Sequence, residues 1–181
     1  MSTVRRETRE TQVRLRLELA GTAQQAATGD AFLDHMLVTL ARYAGVGLEV
    51  EAAGDLRHHL VEDVAITLGL ALRRELPPEC RRYGHTVVPM DDALVEVALD
   101  AGGRAYYRGR LPSSLYEHAL RSFAENAAVT LHVRVLRGRD RHHVVEAAYK
   151  GVGLCLRQAL QTGAEVFSTK GAVTVAWEEA H

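Results

Sequence analysis

His58-His59-Leu60-Val61-Glu62 and His142-His143-Val144-Val145-Glu146 carry one pattern, two adjacent imidazoles followed by a carboxylate. On a helix, residues four apart share a face, so His58 converges with Glu62 and His142 with Glu146. The second histidine of each doublet points about 100° round the axis. One ion cannot easily take both adjacent rings. The economical arrangement is two metal ions, each held by a His/Glu pair from one segment and by the second doublet histidine of the other. Imidazole and carboxylate without thiolate suit manganese, iron, zinc or nickel, and disfavour an oxygen-rich calcium site. A single copy would pass as a solvated helix face; two copies in register do not.

The remaining histidines divide. His35 follows Asp34 early in a predicted helix, and His132 alternates with Leu131 and Val133, so it points away from the face those residues bury. His85, His118 and His181 read as ordinary surface or hydrogen-bonded histidines. Of 22 basic residues only Lys150 and Lys170 are lysines, so these two invite a specific explanation.

The elements that must position these groups are duplicated. The His-doublet match continues at one offset through Gly69/Gly153, Leu70/Leu154, Leu72/Leu156 and Arg73/Arg157. With one residue of slip, Leu33-Asp34-His35 lies over Tyr116-Glu117-His118, and Val46-Gly47-Leu48 over Val129-Thr130-Leu131. Internal similarity of this kind dictates architecture. Alternation at Val13/Leu15/Leu17/Leu19 and Val95/Val97/Leu99 predicts half-buried strands, and Val46/Leu48/Val50 with Leu131/Val133/Val135 predicts a further strand in each copy. Helical spacing occurs at Phe32/Met36/Leu40 after a candidate cap at Asp30, and at Val61/Val64/Ala65/Leu68/Leu72. Its counterparts are Leu115/Ala119/Phe123/Ala127 and Val145/Ala148/Val152/Leu156. The expectation is an α+β fold, an internal duplication of a strands-helix-strand-helix unit. Gly102-Gly103 reads as a turn, and Arg108 to Ser114 as a linker.

Composition excludes several classes. With 22 basic and 23 acidic side chains and a formal charge of -1, the chain lacks the broad basic field of a nucleic-acid or membrane binder. Any anion site must be local. No apolar run reaches the length of a membrane span, and Cys80 and Cys155 have no metal or redox spacing. The charged opening lacks the apolar core of a signal peptide, so the expectation is a cytoplasmic, reducing-compartment protein.

In order along the chain, Phe32-Leu33-Asp34-His35-Met36-Leu37, His58-His59-Leu60-Val61-Glu62-Asp63, Pro89-Met90-Asp91, Gly103-Arg104, Leu131-His132, His142-His143-Val144-Val145-Glu146-Ala147 and Ser168-Thr169-Lys170-Gly171 resemble the motifs of the imidazoleglycerol-phosphate dehydratase family. The resemblance runs from about Arg6 to Gly171. It implies a single dehydratase domain of two repeats, about 1–85 and 86–171, with a short C-terminal tail and a fold similar to ribosomal protein S5 domain 2. It also implies a homo-oligomer of 24 subunits built from trimers, holding two divalent ions per site, with manganese the first choice. By similarity one ion takes His35, His59, His142 and Glu146, and the other His58, Glu62, His132 and His143. The substrate phosphate falls to Arg82, Arg104, Lys150, Ser168, Thr169 and Lys170, which accounts for both lysines. By itself Arg82 would read as plain surface charge, and Lys170 as part of a frayed tail.

The implied reaction converts imidazoleglycerol phosphate to imidazole acetol phosphate in histidine biosynthesis, a lyase step. The hydrogen to be removed is not acidic, so the ring must accept electron density, which two cations at its nitrogens would favour. Glu10, Glu146 and Asp91 are the candidate carboxylates for proton transfer. Tyr43, Thr39 and a shortened segment before His58 depart from the family pattern. Two other readings stand beside the dehydratase. One is a divergent paralogue keeping the dimetal site for another phosphorylated or imidazole substrate. The other is a non-catalytic metal-binding assembly protein.

Overall fold

In a computed structural model that describes residues 1–162, the alternating segment becomes β2 (Thr11–Glu18), with Val13, Leu15 and Leu17 buried and Gln12 and Arg14 facing solvent. β2 pairs antiparallel with β1 (Ser2–Glu7) and with β4 (Gly47–Gly54), and the short β3 (Gln24–Ala27) runs parallel to β4. Between β3 and β4 lies α1 (Ala31–Ala44), and after β4 comes α2 (Arg57–Glu75). The second half repeats this with β5 (Tyr83–Met90), β6 (Ala93–Asp100), β7 (Tyr106–Gly109), α3 (Ser114–Ala127), β8 (Thr130–Arg137) and α4 (Arg141–Ala159). The strand orders β1-β2-β4-β3 and β5-β6-β8-β7 are the same up to renumbering. The chain is therefore α+β with the expected duplicated halves.

Where sequence and structure differ, edge strands are the cause. β1, β3, β5 and β7 each bond on one side only, so their alternation is diluted by half-exposed polar residues. β7 takes up the first two residues of the segment expected to be a linker from Arg108 to Ser114. Ser168, Thr169, Lys170 and the tail lie outside the described residues.

The halves interlock through their helices. α1 packs on α4 and α2 on α3, so each helix pair joins one repeat to the other, while α2 rests on β1 and β2 and α4 on β5 and β6. All four helices contribute to one hydrophobic core that includes Leu40, Val61, Val64, Phe123 and Val152. Two glycines that match in the repeat let the backbones approach. A Cβ on Gly69 would stand 2.7 Å from the Phe123 carbonyl oxygen, and one on Gly153 would stand 2.6 Å from that of Leu40. Among the described residues, no helix is long and apolar enough to cross a membrane.

Candidate metal centre

Because α1 meets α4 and α3 meets α2, side chains near the N-termini of these helices converge in two corresponding clusters. His35 on α1 joins His142 and Glu146 on α4, with His35 Nε2 3.2 Å and His142 Nε2 2.9 Å from Glu146 Oε2. His118 on α3 joins His58 and Glu62 on α2, with His118 Nε2 3.2 Å from Glu62 Oε1 and His58 Nε2 3.7 Å from Glu62 Oε2. The correspondence extends to the ring planes. The His35 and His142 rings lie 6.0 Å apart at 20°, and the His58 and His118 rings 5.2 Å apart at 17°. Within each cluster the donor atoms lie within 4.8 Å of one another.

Local structure explains this placement. Asp30 caps α1 as expected, accepting from the backbone N–H of Phe32 and Leu33, and Asp140 caps α4, accepting from the N–H of His142 and His143. The arginine before each doublet ties its helix to the first helix of its own half. Arg57 bonds the cap residue Asp30, and Arg141 donates to Ser113 Oγ at 2.9 Å. The four helix starts are thereby held at one end of the molecule.

His118, which by sequence reads as an ordinary surface or hydrogen-bonded histidine, stands beside Glu62 in the second cluster. Its Nε2 is buried and finds no hydrogen-bond partner, although the Glu62 carboxylate is close. The signal was present in the repeat, where His118 lies over His35. His132 joins neither cluster within the chain. It sits on β8 with an exposed side chain facing away from the helices, beside the Tyr106 ring at 5.6 Å.

The second doublet histidines also stand apart from the clusters, each in carboxylate company. His59 Nδ1 is 3.0 Å from Asp55 and 3.4 Å from Glu10. His143 has Nδ1 2.8 Å from Asp92 and Nε2 3.4 Å from Asp91. The hydrogen bond that His59 donates to Asp55 raises its pKa above the ordinary imidazole value, and the one that His143 donates to Asp92 does the same for His143. Asp92 itself falls to about 2, because it accepts from the backbone N–H of Arg139, from His143 and from the N–H of Asp140. A carboxylate on Nδ1 fixes the tautomer and orientation of an imidazole, an arrangement typical of metal-ligating histidine. Glu10 and Asp91 correspond, each in the turn of the first hairpin of its half.

The anion-binding candidates are distributed. Lys150 lies against the first cluster, with Nζ 3.0 Å from Glu146 Oε1 and 5.7 Å from the centre of the Tyr43 ring. Burial opposes the charge on Glu146, yet the Lys150 ammonium and His35 hold its carboxyl below the usual range. Arg82 is in a bidentate pair with Asp100, and Arg104 is exposed on the loop before β7.

Comparison with known proteins adds independent findings. The model of the family described as imidazoleglycerol-phosphate dehydratase matches residues 28–156. The chain is 44% identical to the imidazoleglycerol-phosphate dehydratase of Desulforudis audaxviator, covering 94% of this chain and 96% of that one. It is 45% identical to that of Methanothermobacter thermautotrophicus, covering 92% and 94%. The crystal structure of the Pyrococcus furiosus protein superposes with a TM-score of 0.85 at 39% identity, covering 94% of this chain and all of that one. That of the Staphylococcus aureus dehydratase gives 0.80 at 28% identity, covering 89% and 98%.

Proposed function

The chain belongs to the imidazoleglycerol-phosphate dehydratase family, and from that premise we propose how its own residues carry out the reaction. It is a lyase that removes water from imidazoleglycerol phosphate to give imidazole acetol phosphate in histidine biosynthesis. One observation carries the reading of its site: two corresponding His/His/Glu triads, each assembled from both repeats and each offering three donors.

The donor set fits a divalent ion. Imidazole and carboxylate are suitable ligands, and a buried Nε2 on His118 that lies close to a carboxylate without bonding it is what two ligands sharing a cation require. We assign His35, His142 and Glu146 to one ion and His58, Glu62 and His118 to the other. His118 then takes the role that the family resemblance gave to His132. His59 and His143, each oriented by a carboxylate on Nδ1, complete the triads of neighbouring subunits. That requirement supports a homo-oligomer, the 24-subunit particle built from trimers. Manganese is the proposed metal, two ions per site, and the cytoplasm the proposed compartment. The chain forms one dehydratase domain of two repeats, about 1–85 and 86–171, followed by the tail.

When bound, the two ions would act as Lewis acids on the substrate's imidazole and as a template for it. The chain supplies the rest. Glu10 and Asp91, beside His59 and His143, are placed to accept or return a proton, and Glu146 is a third carboxylate able to do so. Arg82, Arg104 and Lys150, with Ser168, Thr169 and Lys170 outside the described residues, bind the phosphate. Elemental analysis of purified protein, combined with an assay on imidazoleglycerol phosphate, tests this. Two divalent ions per subunit are expected, with turnover lost on stripping and restored on reloading; undiminished turnover by metal-free protein would overturn it.

A further inference from the structure

We propose that Asp100 is a positioning residue for the phosphate subsite, holding the Arg82 guanidinium and the loop that carries Arg104 with one carboxylate. The inference rests on the assignment of Arg82 and Arg104 to the phosphate.

Asp100 ends β6. Its Oδ1 accepts from Arg82 Nε at 2.6 Å and its Oδ2 from Arg82 Nη2 at 3.0 Å, the paired geometry in which a guanidinium meets a carboxylate edge to edge. The same Oδ1 accepts the backbone N–H of Gly102 at 2.8 Å, two residues before Arg104. The far side of that loop is held by Thr130, whose hydroxyl donates to the Arg104 carbonyl at 3.0 Å. Asp100 therefore joins two arginines that lie 22 positions apart in sequence.

Four features show that this arrangement is built. Arg82 has a φ of 74°, a left-handed conformation that a non-glycine residue adopts at a cost. Its backbone is bonded on both sides, the N–H to the Ala159 carbonyl at 2.9 Å and the carbonyl to the Ala101 N–H at 2.8 Å. A Cβ at position 102 would lie 2.2 Å from Arg82 Nε and Nη2, so only glycine there leaves the guanidinium its path to Asp100. The Tyr83 ring stands 5.1 Å from the guanidinium carbon.

A guanidinium has five N–H groups. Asp100 takes one from Nε and one from Nη2, and among the described residues Arg82 makes no other side-chain hydrogen bond. The Nη1 edge is left to face an anion, in an orientation that a lone surface arginine would hold only by giving up rotamer entropy.

The test measures kcat, KM, inhibition by inorganic phosphate and metal content on the assembled, metal-loaded enzyme. Asp100→Asn should raise KM and weaken phosphate inhibition about tenfold, with kcat and metal content unchanged. Adding Asp100→Asn to Arg82→Ala should bring no further loss, because the two act as a unit. Gly102→Ala, which obstructs the same contact without touching a charge, should reproduce the KM rise and covers the case in which Asp100→Asn does not fold. A folded Asp100→Asn or Gly102→Ala with unaltered KM and phosphate inhibition overturns the proposal. If Arg82→Ala and Arg104→Ala themselves leave both quantities unchanged, it is the phosphate assignment that fails, and the two failures are thus distinguishable.

Discussion

At the scale of single residues, the chemistry lies in which nitrogen of each histidine is free. His35, His58, His118 and His142 present Nε2 to a glutamate, whereas His59 and His143 spend Nδ1 on Asp55 and Asp92. His118→Ala should therefore lower bound metal at least tenfold in affinity, while His132→Ala should leave metal content unchanged; titration of stripped protein with manganese followed by elemental analysis separates the two. Equal loss in both variants would contradict the assignment. Protons compete for the same nitrogens. Since Asp55 and Asp92 hold the pKa of His59 and His143 above the ordinary imidazole value, the charged form persists to higher pH than in an isolated side chain. Metal affinity should accordingly weaken as pH falls through that raised value, by about tenfold per pH unit for each proton displaced. A pH-independent affinity from neutral down to pH 5 would refute this.

Among the elements, the decisive contacts are the two helix crossings between repeats. Every triad takes one histidine from the first helix of one half and a His/Glu pair from the second helix of the other, so the crossing of α1 on α4, or of α2 on α3, sets the ligand distances. Gly69 and Gly153 set how close those helices come, and in both cases the atom a methyl group would strike is a backbone carbonyl, which cannot swing aside. Gly69→Ala and Gly153→Ala should each destabilise the fold by about 1–3 kcal/mol in denaturant unfolding. Each should also weaken metal binding at the triad near its own crossing. Full stability in both variants would show that the helices have slack there.

For the whole molecule, if His59 and His143 complete the three-donor triads of neighbouring subunits as proposed, metal binding and assembly form one equilibrium. Chelation should shift the particle to smaller species in light scattering and abolish turnover together, and both should return with manganese. A particle of unchanged mass after complete metal removal would show that the subunits are held by other contacts.

Much of this was legible in the residues themselves. The duplicated doublets, the 2.0 and 3.6 periodicities and the motif order were sufficient for the α+β duplication and the family, because periodicity and repeat register are local properties of a chain. Pairing His58 with Glu62 and His142 with Glu146 was equally legible, since four residues of helix bring them together whatever else the fold does. The convergence of His118 with His58 and Glu62, at which the repeat only hinted, was decided by tertiary structure, as were the separation of His59 and His143 from the clusters and the bond from Arg82 to Asp100. They depend on which helix of one repeat crosses which helix of the other, and on a carboxylate at a strand end meeting a guanidinium 18 residues earlier in the chain. Such juxtapositions come from packing two amphipathic layers into one core, and no spacing along a single element encodes them.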